Sequence, residues 1–244
     1  MKIKFSIILF FLFSSCSDYL EQEEILDYEE YLYQGWVAFE TVNIENKFSK
    51  DSSNSYYYEL AIDMFEVSEL AINYEFLSQN LLGPHYKSYT GLGWSELYYS
   101  SEFLNQDKHY KRDSLRLESK SHFDKALINL DSQIESTNIL SQDKCDLYSG
   151  LSYVHYYSGL DQFEFDSSLF FSNLLINECP EYTFSHDELD IRNIHYLRGK
   201  IFLYQDSFSE ACIEMTNANN CSCDYNNVDI NILLDCFEEF STGN

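Results

Sequence analysis

Two Gly-Trp pairs, Gly35-Trp36 and Gly93-Trp94, constrain this chain more than any other feature. Each lies in an apolar stretch with helical periodicity. Each is followed by a second helical stretch carrying a small–aromatic–small pattern. That pattern is Ala61, Phe65, Ser68 in one copy and Ser119, Phe123, Ala126 in the other. Twenty-six residues separate the glycine from the first small residue in both copies. Self-similarity at a fixed spacing is the signature of a repeat architecture, in which one supersecondary unit cannot bury its apolar faces alone and must stack on its neighbours.

Two further copies follow. The third pairs Leu151-Ser152 with Ser167, Phe171 and Leu174. The fourth pairs Leu197, Gly199 and Phe202 with Phe208, Ala211, Met215 and Ala218. The physical logic is close packing of two antiparallel helices, which pass at about 8–10 Å between axes. A small residue on each helix at the crossing permits that approach. Gly35 with Ala61, Gly93 with Ser119, Ser152 with Ser167, and Gly199 with Ala211 are the expected crossing pairs.

The landmarks of the fourth copy fall at the spacing of the tetratricopeptide repeat family, and the chain resembles that family over roughly residues 30–220. The first two copies depart from it by 14 extra residues and the third by three. Polar insertions, Asn43 to Ser55 and Glu102 to Asp113, account for the larger departures as long loops or helix extensions. The resemblance implies an all-α fold: a right-handed α-α superhelix of about four helical hairpins. A plain helical bundle is the competing architecture. The two prolines fit the hairpin reading, since Gly83-Pro84 and Pro180 each close an apolar run. Val228 to Phe240 reads as a last helix that caps the stack, with Ile230, Leu233, Leu234 and Phe237 on one face.

The N-terminus supplies an address. Lys2 and Lys4 precede an apolar run, Ile7 to Phe13, too short to span a bilayer; Ser14, Ser15 and Cys16 follow. Phe13-Ser14-Ser15-Cys16 resembles a bacterial lipobox, which implies cleavage before Cys16 and acylation of its thiol and amine. Ser17 rather than Asp after the cysteine resembles the pattern for outer-membrane delivery. The expected organisation is a signal peptide over 1–15, an acidic tether over 16–27 and one repeat domain over 28–240. The expected location is the bacterial cell envelope, facing the periplasm or the surface.

Charge narrows the partners. With 41 acidic against 15 basic residues the net charge is −26, which repels nucleic acid and anionic lipid alike. Membrane contact is therefore expected through the lipid anchor only. The acidity suits a solvated surface, or basic and divalent partners. Twenty-one tyrosines, apolar bodies with polar tips, can line a half-exposed groove. In the resembled family the residue after the small packing position faces such a groove. Here these are Trp36, Trp94, Tyr153 and Lys200, with Phe39, Leu97, Tyr156 and Leu203 one turn on. The groove expectation rests on Trp36, Trp94, Tyr153, Tyr156 and Lys200; the alternative is that the tryptophans only seal adjacent hairpins.

Three other groups complete the reading. Cys145, Cys179, Cys212, Cys221, Cys223 and Cys236 can pair in an oxidising compartment, and the last four suggest one staple for the cap; free buried thiols are the alternative. No Cys-x-x-Cys pair points to metal. His186, Asp187, Asp190 and His195 are read as a helix entry in which Ser185 or Asp187 caps free N–H groups, not as a metal site. No phosphate loop, nucleophile elbow or zinc-protease motif occurs, and no cofactor is implied. The function expected is a non-enzymatic scaffold for a protein or peptide ligand. The rival readings are a glycan- or peptide-capturing lipoprotein of nutrient uptake and an accessory subunit of outer-membrane assembly machinery.

Overall fold

The computed structural model describes residues 27–48, 55–77, 83–104, 108–133, 141–159, 162–219 and 221–243. Cys16 and the expected signal peptide lie outside them, as does all of the expected tether before Asp27. Among the described residues the fold is all-helical, with one isolated β-bridge between Thr183 and Asp190. The helices are α1 (Tyr28–Phe48), α2 (Ser55–Leu77), α3 (His85–Ser101), α4 (His109–Gln133), α5 (Ser141–Ser158), α6 (Gln162–Glu178), α7 (Ile191–Tyr204), α8 (Phe208–Asn219) and α9 (Ile230–Gly243). They pair as four hairpins, α1/α2, α3/α4, α5/α6 and α7/α8, each packed on the next, with α9 against α8. The first helices α1, α3, α5 and α7 also touch in sequence and so make one continuous face.

Most of the extra residues of the early copies are helix. α1 and α2 have 21 and 23 residues and α3 and α4 have 17 and 25, against 14 and 12 in α7 and α8. Between the two landmarks both helices of an early hairpin lengthen, by about three turns in all at 3.6 residues per turn, and the crossing point is kept.

That crossing is built from glycine and a phenylalanine ring. A Cβ on Gly35 would stand 2.7 Å from the Phe65 ring, and one on Gly91 of the next hairpin would stand closer still to the same ring. Phe123 is held in the same way between Gly93, where a Cβ would stand 2.8 Å away, and Gly150. Phe65 and Phe123 are fully buried, so neither ring can swing out to admit a side chain. Ser119 completes the second crossing by donating its Oγ–H to the Gly93 carbonyl at 2.7 Å. Gly93→Leu is expected to lower stability by about 1–3 kcal/mol through overpacking. Chemical denaturation of the variant checks this, and an unchanged midpoint would place Gly93 away from a crossing. Ala61, Ser152 and Ala211 are fully buried, and Gly199 packs close to Met215 and Phe237.

Ser167 requires a correction. It is half-buried and donates to the Phe163 carbonyl of its own helix, whereas Ser168 is fully buried and donates to the Ser152 carbonyl at 2.7 Å. The inward face of α6 is therefore Ser168, Ser172, Leu175, one residue later than expected. Phe171 had suggested the other register, but it lies half-buried with its ring against His155 and Tyr148. The shift changes the chemistry of the third interface. Ser172 stands where the earlier copies have phenylalanine, and the guanidinium of Arg198 reaches its Oγ at 3.0 Å. Arg198 also bonds Asn173 at 2.7 Å and Glu214 at 2.8 Å, and His195 joins Glu214 at 2.7 Å. A buried ion pair with its remaining donors satisfied takes the place of a ring in glycine jaws.

The C-terminal end has its own apolar cluster of α8, α9 and the turn between them. Disulfides Cys212–Cys223 and Cys221–Cys236 cross it, and Cys145–Cys179 ties α5 to the end of α6. One staple, Cys221–Cys236, reaches the cap helix, as expected, and a second, Cys212–Cys223, ties α8 to the turn that leads to it. The buried face of the cap helix is Leu233, Cys236, Phe237 and Phe240, while Ile230 and Leu234 are exposed. The expected face was rotated because it was chosen from the apolar residues without the cysteine that packs among them.

Candidate functional site

The face made by α1, α3, α5 and α7 carries the expected groove residues at corresponding positions, but its first half is already filled. Residues 180–190, between α6 and α7, fold back across it. Their entry is fixed by the Cys145–Cys179 disulfide, and Gln142 on α5 donates to the Thr183 carbonyl at 2.8 Å. Within the segment the Phe184 N–H donates to the Leu189 carbonyl and the Ile191 N–H to the Tyr182 carbonyl, which closes a tight loop. Phe184 then drops between Trp36, Phe39 and Trp94, with ring centres 6.1, 6.3 and 4.6 Å away. His186 stacks flat on Trp36 at 3.7 Å and bonds Glu40 at 2.7 Å; Asp187 accepts from the Tyr98 hydroxyl.

This overturns the place of the tryptophans in the groove expectation. Trp94 has no exposed surface, and its Nε1–H donates to the Asp146 carbonyl at 3.2 Å. Trp36 is half-buried beneath His186. Phe39 and Leu97 are core residues. The helix entry also differs from expectation. The N-cap of α7 is Asp190, in a capping box with Asn193, while Asp187 bonds the neighbouring Glu188 N–H. His186, Asp187, Asp190 and His195 take separate partners, and no group of metal-ligating side chains assembles among the described residues.

Tyr153, Tyr156 and Lys200 do come together. With Tyr157, Asn193, Tyr196, Leu197, Phe240 and Ser241 they line a cleft of about 330 Å³ between α5, α7 and the cap helix. Tyr153 and Tyr157 are one helical turn apart on α5, so their rings stack along one face, 6.3 Å between centres. The Tyr153 hydroxyl reaches the Asn193 carbonyl at 3.4 Å. Tyr196 stacks on Phe240 at 4.5 Å, which places the cap in the wall. Lys200 holds its ammonium 4.4 Å from the centre of the Tyr196 ring and makes no ion pair among the described residues. Burial pushes the Tyr156 phenol up, with the Lys200 charge opposing, and burial pushes Tyr153 up further. The phenols therefore stay neutral and can donate or accept hydrogen bonds.

Tyr157, Tyr196 and Phe240 were missed by the sequence reading. The first was legible as the residue one turn beyond Tyr153. Tyr196 and Phe240 belong to helices whose mutual position no local pattern specifies. The cleft can bind by ring stacking, phenol hydrogen bonds and one cation, a combination with little side-chain entropy to lose. No helix among the described residues is long and apolar enough to cross a membrane. No family model, curated protein or solved structure matches the chain.

Proposed function

We propose that this protein is a non-enzymatic scaffold of the tetratricopeptide type, lipid-anchored in the bacterial envelope, that binds a protein or peptide ligand in the tyrosine cleft. The observation that carries this reading is the cleft itself. Three of the five groove residues expected from the repeat pattern line it, and Lys200 there is turned to a ring rather than to a carboxylate. Export is supported by the pairing of Cys145, Cys179, Cys212, Cys221, Cys223 and Cys236 into three disulfides, which persist in oxidising compartments.

Two experiments test the two parts of the proposal. Tyr156 is half-buried and Lys200 half-exposed at the cleft, so Tyr156→Ala with Lys200→Ala should leave the melting temperature near that of the parent while the co-purifying partner is lost. Retention of the partner by a well-folded double variant would rule out the cleft. For the anchor, Cys16→Ala should move the protein from the detergent phase to the aqueous phase. Unchanged partitioning would rule out acylation at Cys16.

A further inference from the structure

A second cavity opens on the other side of the Tyr153–Tyr157 pair, between α3, α4 and α5. It measures about 240 Å³. Tyr98, Tyr153 and Tyr157 form its aromatic walls over the enclosed Trp94, and Leu97 and Leu104 extend them. Leu189, from the segment that covers the tryptophans, closes one side. Two hydroxyls at the rim are already committed: Ser100 donates to the Leu97 carbonyl and Ser101 to the Tyr98 carbonyl, both at 2.6 Å. The hydroxyls of Tyr98 and Tyr153 are likewise engaged, by Asp187 and the Asn193 carbonyl, and the charged group of the lining is Arg116 of α4.

Arg116 is out of place without a ligand. The chain carries 41 acidic residues and 15 basic ones, yet Arg116 makes no ion pair among the described residues. Asp113, one turn before it on α4, pairs with Arg112 instead, at 2.8 Å, and Glu118 accepts from the Ser114 hydroxyl at 2.7 Å. Arg116 donates one Nη1–H to the Tyr157 carbonyl at 3.1 Å and lies 5.2 Å from the centre of the Tyr157 ring. Its Nε is buried and has no hydrogen-bond partner. Burial disfavours its charged form, the expected direction for a guanidinium withdrawn from water. A half-buried guanidinium whose buried Nε has no acceptor, at the edge of an apolar cavity, is placed to receive an anion.

We infer that this cavity is a binding site for a small hydrophobic carboxylate, its apolar body between the aromatic walls and its carboxylate on Arg116. The ligand class follows from the count of groups. One guanidinium matches one planar carboxylate in bidentate fashion. A phosphate dianion would bring more charge than the single cation neutralises, into a molecule of net charge −26. A neutral hydrocarbon would leave the Arg116 donors unmet. The cavity shares the Tyr153–Tyr157 wall with the cleft, but Arg116 lines only the cavity and Lys200 only the cleft, so separate variants test the two sites.

Calorimetric titration of the full chain with 3-phenylpropionate, and with the uncharged 3-phenylpropan-1-ol, tests it. The acid should bind at least tenfold more tightly than the alcohol. Arg116→Gln should remove that difference, and Arg116→Lys should keep part of it. Ser101→Trp, an exposed position at the rim, should block the cavity while leaving the melting temperature unchanged, which separates ligand loss from misfolding. Equal affinity for acid and alcohol, or acid binding that survives both Arg116→Gln and Ser101→Trp, would overturn the site. A peptide ending in phenylalanine, tried as a competitor, distinguishes two sources of the same chemistry. Displacement of the acid would assign the site to a chain terminus, and no displacement would assign it to a free acid.

Discussion

Trp94→Ala is expected to cost about 3–5 kcal/mol of folding stability, the range for removing a fully enclosed tryptophan. The indole has no exposed surface, and its neighbours come from four parts of the chain. Tyr98 is on its own helix at 5.8 Å and Phe123 on α4 at 5.7 Å; Tyr153 on α5 is at 6.1 Å and Phe184 in the covering segment at 4.6 Å. Truncation leaves a void that none of these elements can close without moving another. It also removes the Nε1–H that satisfies the Asp146 carbonyl. Urea unfolding followed by far-ultraviolet circular dichroism measures the effect. A loss below about 1 kcal/mol would mean that the Phe184 segment does not cover the indole and that Trp94 belongs to an open groove. Trp36→Ala should cost less, because Trp36 is only half-buried and one of its faces is covered by the half-buried His186 rather than by core.

The contrast between Trp94 as read and Trp94 as found marks the reach of the sequence. The hairpin crossings were legible because they are local: a small residue and an aromatic at helical spacing report that two helices touch. Gly35, Gly93 and Ser119 sit where that logic puts them. The logic weakened in the third copy, where adjacent serines at 167 and 168 offered two registers and Phe171 favoured the wrong one. It had no purchase on residues 180–190. Their Pro, Ser, His and Asp content reads as a connection between hairpins, and only Tyr182, Phe184 and Leu189 within it signal burial. Whether such a segment loops outward or folds over the first-helix face depends on contacts more than 80 residues away, such as Tyr98 with Asp187. The disulfides illustrate the same limit. Six cysteines allow 15 pairings, and only the packing of α9 on α8 selects Cys221–Cys236 together with Cys212–Cys223.

Stability should fall as pH rises from about 4 to about 7, with Asp146 as a main cause. Its carboxyl is buried on α5 beneath the covering segment, and burial pushes its pKa from the ordinary 3.8 up to about 7. Gln142, which donates to it at 2.8 Å, and the hydroxyls of Tyr182 and Ser185 pull the other way, while the neighbouring charge of Asp143 adds to the rise. The sign is opposite to that of a salt-bridged carboxylate. Below pH 4 the group is protonated whether the chain is folded or not, and no penalty arises. Between pH 4 and 7 the unfolded chain releases the proton that the folded chain retains, so the folded state loses ground with each unit. Above pH 7 both states are ionised and the loss levels off. Three units at 1.36 kcal/mol each make the total about 4 kcal/mol. His186, whose pKa burial lowers against the pull of Glu40, has the reverse slope: it favours the folded state above its unfolded pKa and loses that advantage as pH falls. The comparison of Asp146→Asn with the parent cancels that background. The variant keeps an acceptor for Gln142 but cannot ionise, so it should melt higher than the parent at pH 8, and the gap should close as pH approaches 4. A gap that stayed constant across this range would show that Asp146 does not titrate between the two states.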